Sequence, residues 1–302
     1  MAITAVGSIA LDTITTSAGT AEAVLGGSLT YFSLAASLFA PVHMVGVVGG
    51  DFPAAHLAWF RERPIHLEGL EQRAGGRTFR WSGRYSDDFS MRTTTALALN
   101  VFQTFRPQLP PAARRQPYLF LGNIDPALQR HVLDQMEHPA FVVSDTMDHW
   151  IAQQRDALLA LLPQVHVFLL NDEEARLLAQ TADTHRAAQW VVAHGVDCAI
   201  VKCGAQGSIL ATVEGVTAMP AFRVERLADP TGAGDSFAGG LLGYIAAQQQ
   251  PPQATLHEAI LYGAAVASWC VEALGVERLR HLTREMIETR VAQLRPLVDR
   301  TP

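Results

Sequence analysis

Six short apolar segments, each closed by a polar or glycine-rich break, constrain the fold of this 302-residue chain more than any other feature. They occupy residues 3–10, 43–49, 118–123, 140–145, 165–171 and 198–204. Near-continuous apolar runs of this length are typical of strands buried on both faces of a parallel sheet. The chain is 49% hydrophobic, which is ample for a large buried core in a single α/β domain.

Helical segments separate several of these predicted strands. They cover residues 28–39, 125–136, 172–180 and 184–195, and further helices are expected at 256–275 and 284–299. Alternation of strands and helices predicts a doubly wound α/β domain.

The segment 75–102 departs from this pattern, because its apolar and polar side chains alternate. The alternating residues are Phe79, Trp81 and Tyr85 on one parity and Thr78, Arg80 and Arg84 on the other. This alternation predicts a strand with one solvated face, and residues 12–27 have a similar character. We expect two segments, about 12–25 and 75–100, to form a small β lid on a single domain that spans residues 1–302.

The bulk properties exclude several classes of partner. A net charge of −6 argues against a nucleic-acid-binding face, and no apolar run approaches the 18 residues of a membrane span. The first basic residue is Arg61, so the apolar start lacks the basic region of a signal peptide. Three cysteines, Cys198, Cys203 and Cys270, are too few and too irregularly spaced for a disulfide or metal framework, which favours a reducing cytoplasm.

Residues 229–240, DPTGAGDSFAGG, place an aspartate at the end of a glycine-rich turn. A small-residue helix is expected after Asp235, so the turn would lie at a helix N-terminus. Gly232 and Gly234 leave backbone N–H groups uncovered there, and such groups attract phosphate. Asp235 could take a proton from an alcohol that approaches this phosphate, while the N–H groups stabilise the transferring charge.

The turn at residues 229–235 also allows other interpretations. It could simply begin a tightly packed helix. A dinucleotide-binding fingerprint would need a third glycine where Phe237 stands, and a P-loop needs a Gly-Lys pair that the chain lacks.

Together with other segments in the same order, this turn resembles the signature of the ribokinase-like, PfkB-type carbohydrate kinases. The other segments are AVGSIALD at 5–12, the glycine pair at 26–27, GVVGGD at 46–51, NDEE at 171–174 and VKCGAQGS at 201–208. The resemblance covers nearly the whole chain. It implies a three-layer α/β/α sandwich with a mostly parallel central sheet and a small β lid, and ATP-dependent phosphorylation of a hydroxyl on a sugar or sugar-like molecule.

The resemblance also implies roles for residues at the catalytic and acceptor sites. Asp235 is similar to the family's catalytic base, and its anion hole corresponds to Gly232, Ala233 and Gly234. Acceptor binding is implied for Asp12, Gly26 and Gly27, and Tyr31 stands where the family often has an asparagine.

Asn171 and Glu174 match an N-x-x-E element that organises Mg²⁺ and phosphate in the family, often through water. The same two residues also match a helix capping box, and the two roles are compatible.

Nucleotide contacts are implied for Lys202, Gly204, Gly207, Thr231 and Ala264. Lys202 is the single lysine of the chain, and a solvated strand end is the alternative for it. Gly204 and Gly207 would also suit a hairpin. Ala264 stands near a position where the family often has an adenine-side asparagine. K⁺ is an additional candidate ion beside Asp229 and Thr231.

The chain departs from the family pattern at residues 145–150, DTMDHW, which lack the arginine of a D-x-N-x-R motif. Asp145 then either faces the pocket or caps the following turn.

Lid aromatic side chains could stack on a base or sugar, or could pair two subunits. Basic lid residues that could serve a phosphorylated acceptor are Arg77, Arg80, Arg84 and Arg92.

The leading functional hypothesis is therefore a cytoplasmic sugar kinase that uses ATP and Mg²⁺. The resemblance also implies a homodimer through the lid, although the sequence leaves the oligomeric state open. A nucleoside kinase or an inositol-type polyol kinase of the same fold is the alternative. A non-catalytic sugar or nucleotide sensor is a different class of function, and a Rossmann dehydrogenase is disfavoured by Phe237.

Overall fold

The computed structural model describes residues 1–17, 19–89 and 91–298. Residues 18 and 90 of the predicted lid segments, and residue 299 of the last predicted helix, lie outside the described residues.

The strands are β1 (Ile3–Val6), β2 (Ala10–Thr16), β3 (Gly19–Gly26), β4 (Val42–Gly49), β5 (Ile65–Arg73), β6 (Arg80–Tyr85), β7 (Arg92–Ala98), β8 (Tyr118–Leu121), β9 (Phe141–Asp145), β10 (Val167–Asn171), β11 (Cys198–Lys202), β12 (Ser208–Thr212) and β13 (Gly215–Met219). The helices are α1 (Ser28–Ala36), α2 (Ala54–Arg61), α3 (Pro111–Arg114), α4 (Pro126–Leu133), α5 (Asp148–Gln153), α6 (Arg155–Leu161), α7 (Asp172–Ala179), α8 (Thr184–Ala193), α9 (Ala233–Ala247), α10 (Pro252–Cys270), α11 (Glu277–His281) and α12 (Arg284–Val298).

The central sheet has nine strands in the order β13-β12-β11-β10-β9-β8-β1-β4-β5. Its strands from β11 to β5 run parallel, while β12 is antiparallel to both of its neighbours. Alternate residues of β10 enter two different cores: Val167 and Leu169 join one, Phe168 and Leu170 the other. Helices α1, α9 and α10 cover the first core and α4, α6 and α8 the second, so the predicted mostly parallel three-layer α/β fold is confirmed.

A smaller sheet has the order β3-β2-β6-β7, in which β2 and β6 are parallel and the outer pairs are antiparallel. Both predicted lid segments contribute strands to it. The segment 3–10 was expected to be one strand, but the structure divides it between β1 and β2. The division falls at Gly7, where a Cβ would lie 2.7 Å from Ser28 Oγ, so the backbone passes tightly against the start of α1.

Thr78 was expected on the solvated face of the lid, and this expectation is wrong. Its side chain is fully buried. Asp51 Oδ1 satisfies the buried polar groups, since it accepts hydrogen bonds from Thr78 N at 2.7 Å and from Thr78 Oγ1 at 2.8 Å. The other carboxylate oxygen of Asp51 pairs with Arg80 at 3.0 Å. These contacts fasten the root of the lid to the loop after β4.

Helix α9 begins three residues earlier than expected, and it is clamped between two other helices. A Cβ on Gly239 would lie 2.5 Å from Phe32 O, and one on Gly240 would lie 2.9 Å from Tyr262 O. The small residues after Asp235 therefore permit close packing against α1 and α10, which fixes the position of the helix N-terminus.

No helix in the described part of the chain is both long enough and apolar enough to cross a membrane.

Candidate active site

Three adjacent parallel strands bring polar side chains to one edge of the central sheet. Strand β9 ends at Asp145, β10 at Asn171 and β11 at Lys202, and the last two residues lie level with each other. The N-terminus of α9 reaches the same edge, because a Cβ on Gly234 would lie 2.9 Å from Lys202 Nζ. The fold therefore gathers the predicted nucleotide and catalytic residues Asn171, Lys202 and Gly234.

The turn before α9 requires glycine at position 232. Gly232 has φ 73°, a left-handed conformation, and a Cβ there would lie 2.3 Å from the ring of Tyr31. Gly232, Ala233 and Gly234 all keep some solvent exposure. The Ala233 N–H donates to Pro230 O at 3.2 Å, and the first N–H groups of a helix have no acceptor within the helix.

Asp235 lies in the first turn of α9, and its side chain is half-buried. Burial and the neighbouring Asp145 raise the pKa of Asp235 to about 7, while the positive charge of Lys202 lowers it. A carboxylate with a pKa near neutrality is well suited to accept a proton from an alcohol in a positioned reaction.

Asp12 lies on β2 at the junction with the lid and is 3% exposed. Burial raises its pKa to about 7, and its Oδ1 has no hydrogen-bond partner among the described residues. A Cβ on Gly26 would lie 1.9 Å from Asp12 Oδ2, so only glycine leaves room for this carboxylate. Gly27 adopts φ 91° where the backbone passes close to Ser8 O. A buried, unpaired carboxylate oxygen can accept a hydrogen bond from a bound hydroxyl.

Tyr31 is 1% exposed, and its ring lies against Gly232. Its hydroxyl has no hydrogen-bond partner in the described ranges. The structure thus gives Tyr31 a packing role beneath the turn, and its contact with the acceptor stays a prediction.

Asn171 and Glu174 form the capping box that the sequence allowed. Asn171 Oδ1 accepts from Glu174 N at 2.7 Å, and Glu174 Oε2 accepts from Asn171 N at 2.8 Å. Burial, then the charge of Asp145, raises the pKa of Glu174 to about 7. Among the described residues, no cluster of three or more His, Cys, Asp or Glu side chains is arranged to hold a metal directly.

The hairpin role of Gly204 and Gly207 is also realised. They have φ 56° and 96° in the turn that joins β11 to β12, and a Cβ on Gly207 would lie 2.0 Å from Met219 O. Ala264 lies on α10 and is partly exposed.

Two contacts at the site were not anticipated. Tyr85 Oη, from lid strand β6, lies 2.9 Å from Thr231 Oγ1 in the turn before α9. The positive charge of Arg92 of β7 lowers the pKa of Asp235, so the lid brings a positive charge towards residues 229–235, the predicted catalytic turn. Tyr85 and Arg92 had been noted only as lid residues, since their contacts join segments about 140 positions apart, which no local pattern reveals.

Asp229, the first residue of the motif, is fully buried and holds the turn in place. Its Oδ1 accepts from Thr231 N at 2.9 Å and its Oδ2 from Gly275 N at 2.8 Å. This carboxylate links the catalytic turn to the loop after α10.

The chain matches a family of known proteins and is similar in sequence to individual kinases. A family model described as pfkB family carbohydrate kinase matches residues 5–280. Cytidine kinase from Thermococcus kodakarensis is 24% identical over 242 residues, 78% of this chain and 86% of that protein. Aminoimidazole riboside kinase from Salmonella typhimurium is 42% identical over 81 residues, 27% of this chain and 25% of that protein.

Solved structures share the fold over almost the entire chain. Nucleoside kinase from Methanocaldococcus jannaschii superposes with a TM-score of 0.78 at 19% identity, covering 97% of this chain and 98% of that one. Fructokinase from Vibrio cholerae O395, in a form that binds fructose, ADP and calcium, gives 0.80 at 17% identity, with 96% and 98% covered. The chain thus belongs to the pfkB family of carbohydrate kinases and is a phosphotransferase that uses an alcohol group as its acceptor.

Proposed function

We propose that this kinase transfers the γ-phosphoryl group of ATP to a ribose hydroxyl of a nucleoside or similar riboside, with Asp235 as the catalytic base. The observation that carries the mechanism is the half-buried Asp235 carboxylate in the first turn of α9, with a pKa of about 7. The riboside preference is supported by the relatives, which are described as cytidine, aminoimidazole riboside and nucleoside kinases.

The acceptor binds between the lid and the central sheet in this proposal. Asp12 accepts a hydrogen bond from an acceptor hydroxyl through its unpaired Oδ1, while Gly26 and Gly27 bring backbone close to the acceptor. The Tyr31 ring packs against Gly232 and so supports the turn before α9, and only the edge of this ring contacts the acceptor.

The transfer step requires one proton acceptor and a site for developing negative charge. The proton of the acceptor hydroxyl passes to Asp235, and the acceptor oxygen forms a bond to the γ-phosphorus. The bond from this phosphorus to the β–γ bridging oxygen breaks, and its electron pair leaves with ADP. The N–H groups of Gly232 and Gly234 stabilise the transferring group at the N-terminus of α9, and Ala233, whose N–H donates to Pro230 O, shapes the turn between them.

The nucleotide lies along the carboxyl edge of the sheet. Its polyphosphate contacts Lys202 and Thr231, and the hairpin glycines Gly204 and Gly207 let the nucleotide approach the backbone. Ala264 of α10 packs near the adenine.

Mg²⁺ fits this site through water. Glu174 keeps one carboxylate oxygen free of the capping box, and Asn171 adds an amide, but the described residues offer no three-ligand cluster. These two residues would hold water molecules of a Mg²⁺ ion that neutralises phosphate charge, which agrees with the few direct protein ligands that Mg²⁺ takes. A K⁺ site near Asp229 and Thr231 is part of the proposal; a fructokinase structure of this fold is described as potassium-bound.

We also propose that the protein acts in the cytoplasm, where ATP is abundant, and that it forms a homodimer through the lid. Strand β7 supports the dimer, because it is an edge strand of the lid and is exposed along its whole length.

A screen of purified protein with MgATP and K⁺ tests the proposal, with ADP release measured across nucleosides, sugars and inositol-type polyols. We expect turnover on one or more ribosides, and Asp235→Asn should lower kcat by roughly 10²–10⁴-fold while ATP still binds. Turnover on a hexose or a polyol alone would contradict the riboside assignment. Binding without turnover on every compound would favour a sensor, and near-normal turnover in Asp235→Asn would remove Asp235 from the role of base.

A further inference from the structure

Asp145 and Lys202 form a largely buried ion pair beside the catalytic turn. Lys202 Nζ lies 3.3 Å from Asp145 Oδ2 and 3.4 Å from Oδ1, and the two side chains are 17% and 7% exposed respectively. A buried ion pair is poor evidence of stabilisation, because removing two charges from water costs about as much as their attraction returns. The pair therefore requires a reason other than the stability of the fold.

The Lys202 ammonium group lies beside the first turn of α9, where the proposed mechanism has the phosphoryl group transferred. A Cβ on Gly234 would be only 2.9 Å from Lys202 Nζ, so the ammonium touches the first turn of α9. In the described ranges its only hydrogen-bond acceptors are the two oxygens of Asp145. An ammonium has three N–H donors, so donor capacity remains for a phosphoryl oxygen.

Asp145 also determines which carboxylate the Lys202 ammonium group contacts. Three acids act electrostatically on Lys202, in the order Asp145, Glu174 and Asp235. A flexible lysine side chain without Asp145 could swing to Asp235 and neutralise the base. Asp145 stands at the end of β9, on the far side of β10 from β11, and draws the ammonium along the sheet edge.

We infer that Asp145 is a positioning residue that holds the Lys202 ammonium beside Gly234, where it contacts the phosphoryl group in transfer and leaves Asp235 free to accept the proton. Lys202 then supplies the positive charge that the DTMDHW segment, without its arginine, does not. This inference rests on the proposed kinase mechanism and adds a residue to it.

The first test needs no catalytic activity, because Lys202 is the only lysine of the chain. Lysine labelled with ¹³C at Cε gives a single side-chain signal in an NMR titration. Burial lowers the pKa of Lys202, but the negative charges of Asp145, Glu174 and Asp235 together outweigh it and raise this pKa, so the wild-type signal should titrate at higher pH than free lysine. Asp145→Asn should lower this pKa by about one unit or more.

The matched control for this titration is Asp134→Asn, which removes a carboxylate from a surface ion pair with Arg130 and should leave the lysine signal unchanged. A Lys202 signal that titrates identically in wild type and Asp145→Asn overturns the inference, whatever the acceptor screen finds. If no compound in the acceptor screen is phosphorylated but the lysine signal is shifted in Asp145→Asn, the result would count against the proposed function alone.

The pH dependence of the reaction gives a second test. Asp145 raises the pKa of Asp235, whereas Lys202 and Arg92 lower it. The other groups that face this site are Asp12 of β2, Glu174 of α7, Asp229 of the turn and Cys270 of α10. The acid limb of the kcat/KM profile should move to lower pH in Asp145→Asn and to higher pH in Lys202→Met. Movement in the same direction would contradict the inference.

A double-mutant comparison tests whether Asp145 acts through Lys202. Lys202→Met should lower kcat by about 10²–10³-fold, and Asp145→Asn by up to about 10²-fold. The double variant should be no slower than Lys202→Met alone, since no ammonium remains to be positioned. Losses that multiply would show that Asp145 acts independently.

The variant Gly234→Ala tests the same inference if the Asp145→Asn protein does not fold. Alanine is a better helix former than glycine, and its methyl group would displace the Lys202 ammonium. We expect a shifted lysine signal and a lower kcat with little change in the KM for the acceptor. An unshifted signal with full kcat would overturn the inference.

Discussion

In the proposed mechanism, Asp235 serves the reaction at a cost to the stability of the fold. Its folded pKa, about 7, lies above its ordinary value of 3.8, so the folded state binds the proton more tightly than the unfolded state does. The ionised carboxylate therefore destabilises the fold. This cost is absent below about pH 3.8, grows as the pH rises to about 7, and is constant above that.

The variant Asp235→Asn should accordingly be more stable than wild type at pH 8, by roughly 0.5–2 kcal/mol, although its kcat should be far lower. Thermal unfolding at pH 8 and near pH 4 measures this difference, which should disappear at the lower pH. Asp134→Asn, at an exposed position, is the control and should show no such trend. Equal stability of Asp235→Asn and wild type at pH 8 would contradict the prediction.

Gly26 controls the position of the Asp12 carboxylate. Gly26→Ala would place a methyl group 1.9 Å from Asp12 Oδ2, so the carboxylate must move away from the acceptor. We expect the acceptor KM to rise by about tenfold or more while the ATP KM is unchanged. Gly75→Ala is the matched control, since a Cβ there meets nothing within 4 Å. An unaltered acceptor KM in Gly26→Ala would argue against a role for Asp12 in acceptor binding.

Among the described residues, one side-chain hydrogen bond joins the lid to the turn before α9, between Tyr85 Oη and Thr231 Oγ1, either of which can be the donor. Tyr85→Phe removes this bond while keeping the ring, at a cost of about 1 kcal/mol, or roughly fivefold in the equilibrium that holds the lid against the turn. We expect kcat/KM for the acceptor to fall by about this factor, and ATP hydrolysis without acceptor to rise relative to transfer. Parallel assays of phosphoryl transfer and phosphate release measure both quantities. Tyr244→Phe, on the opposite end of α9, should change neither.

Elements of the central sheet could be predicted from the sequence because strands buried on both faces are apolar throughout. The runs around β9, β10 and β11 were located to within two residues of their observed bounds. Strand β5 was missed, since at the sheet edge its residues show neither a continuous apolar run nor a regular alternation of half-buried and exposed positions. The lid contacts were missed for a different reason: the path of the chain from β6 to the catalytic turn is set by tertiary packing alone.

At the scale of the whole molecule, the exposed lid strand β7 is an unpaired sheet edge with apolar side chains. Leu97 is 58% exposed and Met91, just before the strand, is 66% exposed. Edges of this kind pair with another chain unless they are protected. We therefore expect a homodimer in light scattering after gel filtration.

Leu97→Glu should convert this dimer to a monomer, because it places a charge on the shared surface. Val213→Glu is the control: Val213 is 88% exposed in the turn between β12 and β13, away from the lid, and its substitution should leave the dimer intact. A wild-type monomer at micromolar concentration, or a Leu97→Glu dimer, would exclude assembly through the lid.

The strand order of the central sheet has a consequence for synthesis of the protein. Strand β1 lies in the interior of the sheet, and from β8 to β13 each strand is added beside the one made just before it. A growing chain can therefore extend the sheet outwards in the order in which the ribosome releases it. The helix that carries Asp235 follows the last of these strands, so a nascent chain acquires its proposed catalytic base only after the sheet is complete.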